Sequence, residues 1–441
     1  MSLPDLVGHY LAVNYPTVLD AFCRAAGIDI PDPAQPPEPD LRTLVEDYVS
    51  VQLAQQLTAL HTDHEPTNGW ASAKDLVKVS LRNDIHLERV KRSIEGISAV
   101  NLLSVGVEKL PKRYFDTNTA QYHANYKKTI ITSSVDKTLK LVDYETGEVE
   151  HLLEPHKATV LCFAVHPTKP RYILSGSMDG TTVLTDLIFH QPLQTFPSTK
   201  FVVRVAFSPD GSYFATASYD RHVVLYRASE HSQEPLDGLD ETDDQDLACE
   251  PRLRYVESHR VKVDSNPEAI ALTPEWLLYT LRGSHWLHYV RLGTWETFKK
   301  SFNPHPLDTH VSFSVLNLAI HPSGKIIACQ TGDRGAERIL LYGIDPDETE
   351  RLACLWTGQD ADDYVLPRMA WLPDGAALVV TSSNGYLHLL TLNGEVRSSL
   401  KAHGAAGSGA SEVVRDVCIV PDGDEWEVVS VGYDRQIKIS R

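Results

Sequence analysis

No apolar run of membrane-spanning length occurs anywhere in the 441 residues, so a helical membrane span is not expected. The opening residues, MSLPDLVGHY, lack a basic segment followed by an apolar core, so no secretory leader is expected. Cysteine is sparse. Cys23, Cys162, Cys249, Cys329, Cys354 and Cys418 stand singly, and none forms a CxxC pair. That scatter argues against a disulfide framework and suits a reducing, intracellular compartment, cytoplasmic or nuclear. Basic residues are outnumbered, 41 Lys plus Arg against 59 Asp plus Glu, for a formal charge of −18. Such a balance disfavours direct binding to nucleic acid and to anionic membrane, both polyanions.

Catalytic patterns are also missing. GAAGSG (404–409) lacks the Lys of a phosphate-binding loop and its strand-then-helix context, so it reads as a flexible loop. HTDHE (61–65) sits in a polar linker and reads as solvated rather than metal-binding. No paired carboxylates or Cys/His cluster at ligand spacing stands out. No catalytic residue, cofactor or metal is therefore expected.

What is present is a repeat. FAVHPTK (163–169), VAFSPDG (205–211), IALTPEW (270–276), LAIHPSG (318–324), MAWLPDG (369–375) and VCIVPDG (417–423) are one pattern in altered spelling. Three residues before Pro167, Pro209, Pro274, Pro322, Pro373 and Pro421 stands a small residue: Ala164, Ala206, Ala271, Ala319, Ala370 and Cys418. Apolar residues flank it on the alternate positions. Period-2 alternation means a strand. A strand restricted to small side chains on one side is expected innermost in a propeller blade, where strands crowd the axis. Proline then ends the strand, because it cannot donate to a ladder. The period, 42 to 65 residues, is that of a repeat array.

A second signal follows each proline: a strand, a polar turn and another strand, as in SGSMDGTTVLTD (175–186), TASYDRHVVLYR (216–227), TSSNGYLHLLTL (381–392) and SVGYDRQIKISR (430–441). TSSVDKTLKLVD (132–143) is an earlier copy, though the segment before it lacks the Ala and Pro. The turn residues Asp136, Asp179, Asp220, Asn384 and Asp434 suit a tight turn through side-chain to backbone hydrogen bonds. With weaker turns at 282–292 and 331–344, the count is seven blades.

This pattern resembles the WD-repeat family over roughly residues 101 to 441. The resemblance implies a mainly β fold, a seven-bladed β-propeller over 99–441. It also implies a structural His-Ser-Asp network at His156, Ser175 and Asp179, and again at His403, Ser430 and Asp434. The family's Trp, six residues past the turn acid, is replaced by Val142, Thr185, Tyr226, Val290, Tyr342, Leu390 and Ser440. Without it, both networks are expected to be incomplete. AVNLLSVGVEKLP (99–111) is expected to close the ring as the outer strand of the last blade, because the chain stops after that blade's third strand.

The first sixty residues are a different object. DLVGHYLAVNYPTVLDAFCRAAG (5–27) has helical apolar spacing broken at NYP, since the residue before Pro disfavours helix. Two such short helices cannot bury their own apolar faces. The segment resembles the Lis-homology (LisH) motif at Leu6, Tyr10, Leu11, Tyr15, Leu19, Phe22 and Gly27, which implies a small α-helical dimerisation region over 1–60 and a homodimer. A Pro-rich spacer (29–40) and a helix over 41–60 follow. Residues 61–98 read as a linker and a further helix spanning 71–95. Between the third and fourth blades, residues 229–250 hold nine Asp or Glu and no Lys or Arg, a composition expected to be disordered.

The layout implies a non-enzymatic dimeric scaffold or adaptor whose propeller binds protein partners. The alternative is an acidic chaperone or escort for a basic client such as a histone or ribosomal protein. The expected partner-binding face is the one bearing the turns, with Lys137, Arg221, Arg435 and Arg368 as cations and Tyr219 and Tyr433 as aromatic anchors.

Overall fold

The computed structural model describes residues 7, 11–12, 16–27, 29–30, 85–116, 121–229, 253–303, 314–332, 337–357, 365–404, 412–423 and 425–441. The chain divides into two units, Met1–Trp70 and Ala71–Arg441. In the first, Pro16–Ala26 is an α-helix. Pro16 occupies its first turn, where the missing N–H is no loss, and Gly27 follows it at φ 67°, the left-handed conformation that terminates helices. The predicted break at NYP falls where this helix begins. The helix expected over 41–60 lies outside the described residues.

The second unit is a propeller of seven four-stranded antiparallel sheets, six of them built from four strands consecutive in sequence. Ala164, Ala206, Ala271, Ala319, Ala370 and Cys418 all lie on the first strand of a blade, as the small-residue pattern predicts. The first blade lacks the signature for a physical reason. Gly106 takes the small position, pairing with Ile131 as Ala206 pairs with Ala215. A Cβ there would come within 3.1 Å of the Phe163 ring on the next blade. This strand also runs on from Leu102 to Asp116 instead of stopping at a proline.

The apolar side chains gather in seven clusters, one per blade-to-blade interface. Val203, Ala217 and Leu225 of the third blade, for example, meet Ile270, Leu277 and Tyr279 of the fourth. Each blade is therefore buried on both faces, and no blade is stable alone. Polar links reinforce the interfaces. Lys300, 1% exposed, reaches from the fourth blade to the carbonyls of Gly343 (2.5 Å) and Asp345 (2.6 Å), and burial pushes its ammonium pKa down to about 8.

Closure differs from the sequence expectation. Residues 102–116 form the innermost strand of the first blade, not the outer strand of the seventh. The closing strand is Val90–Ile94, antiparallel to Ile437–Ser440, within the stretch expected to be helical. VKRSI alternates between exposed and less exposed positions over only five residues, too few for period 2 to outweigh a longer helical pattern. Around it the chain stitches three blades. Leu87 N donates to Ser398 Oγ of the sixth blade (2.8 Å) and packs in the interface between the sixth and seventh. Arg441 N donates to Arg89 O (2.9 Å), and Ile94 and Ile97 join the cluster between the seventh and first blades.

Ile94→Ala should therefore lower global stability by about 3 kcal/mol, a core cavity cost. Val149→Ala, on an outer strand and 40% exposed, should cost about 0.5 kcal/mol or less. Denaturant melts of both variants check this. A second prediction concerns Glu337, 3% exposed and hydrogen-bonded by Gln330 Nε2, whose carboxyl burial pushes its pKa up to about 7. The folded state thus holds a proton that the unfolded chain releases near pH 4.5, so this group's contribution to stability falls as pH rises toward about 7. Glu337→Gln should remove that part of the pH dependence and stabilise the protein at pH 8 by up to about 3 kcal/mol.

Candidate functional site

The turn between the second and third strands of each blade opens on one face of the disc. The acids make the expected turns: Asp136, Asp179, Asp220 and Asp434 each accept from the backbone N–H two residues on, at 3.1, 2.8, 3.1 and 3.2 Å. The residue after the acid must be left-handed. Gly180 (φ 82°) and Gly385 (φ 89°) meet this requirement without strain. The first, third and seventh blades instead place Lys137 (φ 76°), Arg221 (φ 64°) and Arg435 (φ 65°) there, and all three side chains are exposed. A left-handed L-residue costs roughly 1–2 kcal/mol relative to the right-handed region. Three long cations are thus held at turn tips where neighbouring blades use glycine.

Beneath the turns, both His-Ser-Asp networks form. His156 Nε2 lies 2.8 Å from Ser175 Oγ and its Nδ1 lies 3.2 Å from Asp179 Oδ2. His403 repeats this with Ser430 (2.8 Å) and Asp434 (2.9 Å). At the positions where the resemblance would place Trp, Thr185 and Ser440 bury hydroxyls with no hydrogen-bond partner among the described residues. The networks are thus shortened versions that still tie each turn to its blade. Burial pushes His156 toward its neutral form. Burial favours the neutral form of Asp434 too, by raising its pKa, yet the bonds from His403 hold the carboxyl below the usual range.

The sequence reading missed the centre of this face. Six innermost strands carry a bulge one residue in, between Val202 and Arg204 and between Val414 and Asp416 among others. Bulges re-aim the side chains beside them. In the third and seventh blades they re-aim Arg204, Arg415 and Asp416, and Arg368, just ahead of the sixth blade's unbulged first strand, joins them. The three arginines are 9%, 8% and 8% exposed. Burial first, then Arg204 across the channel, pushes the Arg368 guanidinium pKa down to about 9, so it stays charged at neutral pH. Asp416 accepts from Ser104 Oγ (2.6 Å), Val105 N (2.9 Å) and Val417 N (3.0 Å), and Arg368 Nε lies 3.6 Å away.

Of the cations expected on the face, Arg368 is therefore inside the channel, not at the surface. Tyr219 and Tyr433, both half-buried, lie within electrostatic range of Arg415, so they border the same cluster. Tyr219 Oη lies 3.4 Å from Glu268 Oε2, and Arg282 Nε donates to Glu268 at 2.5 Å. Arg204, Arg415 and Asp416 had a signal in sequence. They are charged residues two or three places before the small residue, on strands otherwise apolar there.

The expected dimer residues are only partly described. Leu19 is buried, Leu11 and Phe22 are half-buried, and Leu6, Tyr10 and Tyr15 lie outside the described residues. So do the acidic segment from 230 onward and the His pair of HTDHE. No group of three His, Cys, Asp or Glu that could hold a metal ion occurs among the described residues, and no helix among them is long and apolar enough to cross a membrane.

The family model described as "WD domain, G-beta repeat" matches residues 147–186 and 190–227. A guanine nucleotide-binding protein subunit beta of Arabidopsis thaliana is 34% identical over 113 residues, covering 24% of this chain and 30% of the relative. A guanine nucleotide-binding protein subunit beta-like protein of Encephalitozoon cuniculi is 26% identical over 136 residues, covering 25% and 40%. An uncharacterized WD repeat-containing protein of Schizosaccharomyces pombe is 28% identical over 97 residues, covering 22% and 16%. The chain thus spans less than half the length of each. Both matched repeats run from the outer strand of one blade through the third strand of the next, the same one-strand offset that leaves the last blade to be completed by Val90–Ile94. The chain carries WD repeats, and its fold is a seven-bladed β-propeller.

Proposed function

We propose that the chain is a non-enzymatic scaffold whose propeller docks protein partners on the face bearing the hairpin turns, with Lys137, Arg221 and Arg435 at its perimeter and Tyr219, Tyr433 and Arg368 toward its centre. The observation that carries this reading is the left-handed conformation of those three perimeter cations. Strain kept at an exposed position, where glycine serves in neighbouring blades, points to use of the side chain. On a chain of net charge −18, such cations would steer an acidic surface to this face. One relative is named as a subunit and another as subunit-like. The N-terminal segment, on this reading, pairs two copies through Leu6, Tyr10, Leu11, Tyr15, Leu19 and Phe22, so that each dimer offers two docking faces.

Replacing Lys137, Arg221 and Arg435 together by Gly should raise stability, by up to about 1 kcal/mol per site, while abolishing capture of at least one co-purifying protein. Denaturant melts and affinity purification of the full chain check both halves. An unchanged set of captured proteins would refute the face. If capture is lost instead on removing 229–250, the acidic escort for a basic client becomes the better account. Light scattering should find the full chain dimeric, and Leu11→Asp with Phe22→Asp monomeric, because a charge in a small helical interface is left unpaired.

A further inference from the structure

The buried arginines at the centre of the propeller are under-compensated. Arg204, Arg368 and Arg415 come from the third, sixth and seventh blades of a seven-membered ring. The third and sixth blades stand on opposite sides of that ring, and the Arg204 charge lowers the proton affinity of Arg368, so these two cations face each other across the axis. Taking a cation out of water costs several kcal/mol unless a partner restores it.

Two carboxylates border the cluster. Asp416 accepts from Ser104 and two backbone amides and stands 3.6 Å from Arg368, and Glu268 is bonded by Arg282. Counting Arg282 with the three buried arginines against these two acids leaves two positive charges. The donors tell the same story. Arg204 spends Nη1 on Val203 O at 2.7 Å and Arg415 spends Nη1 on Leu366 O at 3.2 Å. Arg204 Nε, Arg204 Nη2 and Arg415 Nε are buried with no partner among the described residues. Buried donors in folded proteins are nearly always paired.

We propose that this axial cluster binds a phosphate group, and that its source is a phosphorylated side chain of a protein docked on the hairpin-turn face. A phosphate monoester brings close to two negative charges and three terminal oxygens, which match the residual charge and the guanidinium forks of three separate blades. A carboxylate brings one charge and two oxygens, enough for a single fork. The half-buried Tyr433 borders the cluster and offers a hydroxyl and a ring face to the chain carrying the phosphate, whereas Tyr219 is engaged by Glu268 and Arg282. The choice of source rests on the docking reading above; the anion site itself rests on the arginines.

The test uses the full chain at constant ionic strength, titrated with inorganic phosphate against chloride. Phosphate should raise the melting midpoint saturably, because a ligand that binds only the folded state stabilises it, and chloride should not. Arg204→Lys with Arg415→Lys keeps the charge but loses the planar fork, and should weaken phosphate binding at least about tenfold. The triple glycine variant of Lys137, Arg221 and Arg435 should still show a saturable phosphate shift, which separates failure of this site from failure of the perimeter. A phosphoserine hexapeptide should compete with inorganic phosphate, and its unphosphorylated form should not. No saturable effect of phosphate on the wild type overturns the proposal, as does an effect undiminished in a folded lysine variant. Phosphate binding without competition by the phosphopeptide overturns its assignment to a partner's side chain. Should the lysine variants not fold, phosphorus-31 line broadening and the peptide competition on the wild type decide.

Discussion

Burial between neighbouring blades is the interaction on which everything else depends. A four-stranded sheet of this size exposes two apolar faces, and each is covered only by the next sheet. Seven interfaces and seven sheets leave no face uncovered, provided that the last sheet meets the first. Because the sequence repeat runs one strand out of phase with the blades, that meeting requires a strand from the N-terminal side of the ring, and Val90–Ile94 supplies it. The edge of Ile437–Ser440 is thereby paired, and the seventh blade ends on a short outer strand. Ile94 and Ile97 fill the interface that a ring without this strand would leave open.

The closed ring gives the functional face its rigidity. Turns are fixed from below by His156 and His403, and from within by side-chain acceptors two residues before the amides they bind. On such a platform a strained residue persists, since the surrounding hydrogen bonds over-determine its conformation. Lys137, Arg221 and Arg435 are held that way. The centre of the ring shows the same logic in electrostatic form. Arg204, Arg368 and Arg415 are packed at a depth where cations are costly, and the ring's many apolar interfaces offset that cost. The perimeter cations and the axial arginines are distinct in exposure and in chemistry. The perimeter suits long-range steering, whereas the buried forks suit a specific, desolvated contact.

The repeat was legible because crowding at the axis leaves a direct mark on residue size: Ala at the same place in five strands, Cys in a sixth. Proline after it marked the strand end in five of the six copies, the seventh blade's strand running on through Pro421, and an acid marked the turn. The first blade was harder to see, since Gly106 and an unusually long strand replaced both marks. Lys137, Arg221 and Arg435 were legible by their place after the turn acid. The left-handed requirement follows from the turn geometry, and the blades with Gly180 and Gly385 display it in sequence.

The sequence by itself determined the period, six of the seven innermost strands, the turns and the number of blades, because these depend on short-range alternation and local steric limits. Which strand closes the ring was decided by tertiary structure alone. VKRSI has too few residues to declare a period, and its pairing with Ile437–Ser440 spans more than three hundred residues of chain. The axial cluster was decided the same way. Arg204 and Arg368 lie far apart in sequence on opposite blades, and only closure of the ring, with a bulge redirecting the strand of Arg204, brings their charges together around one axis.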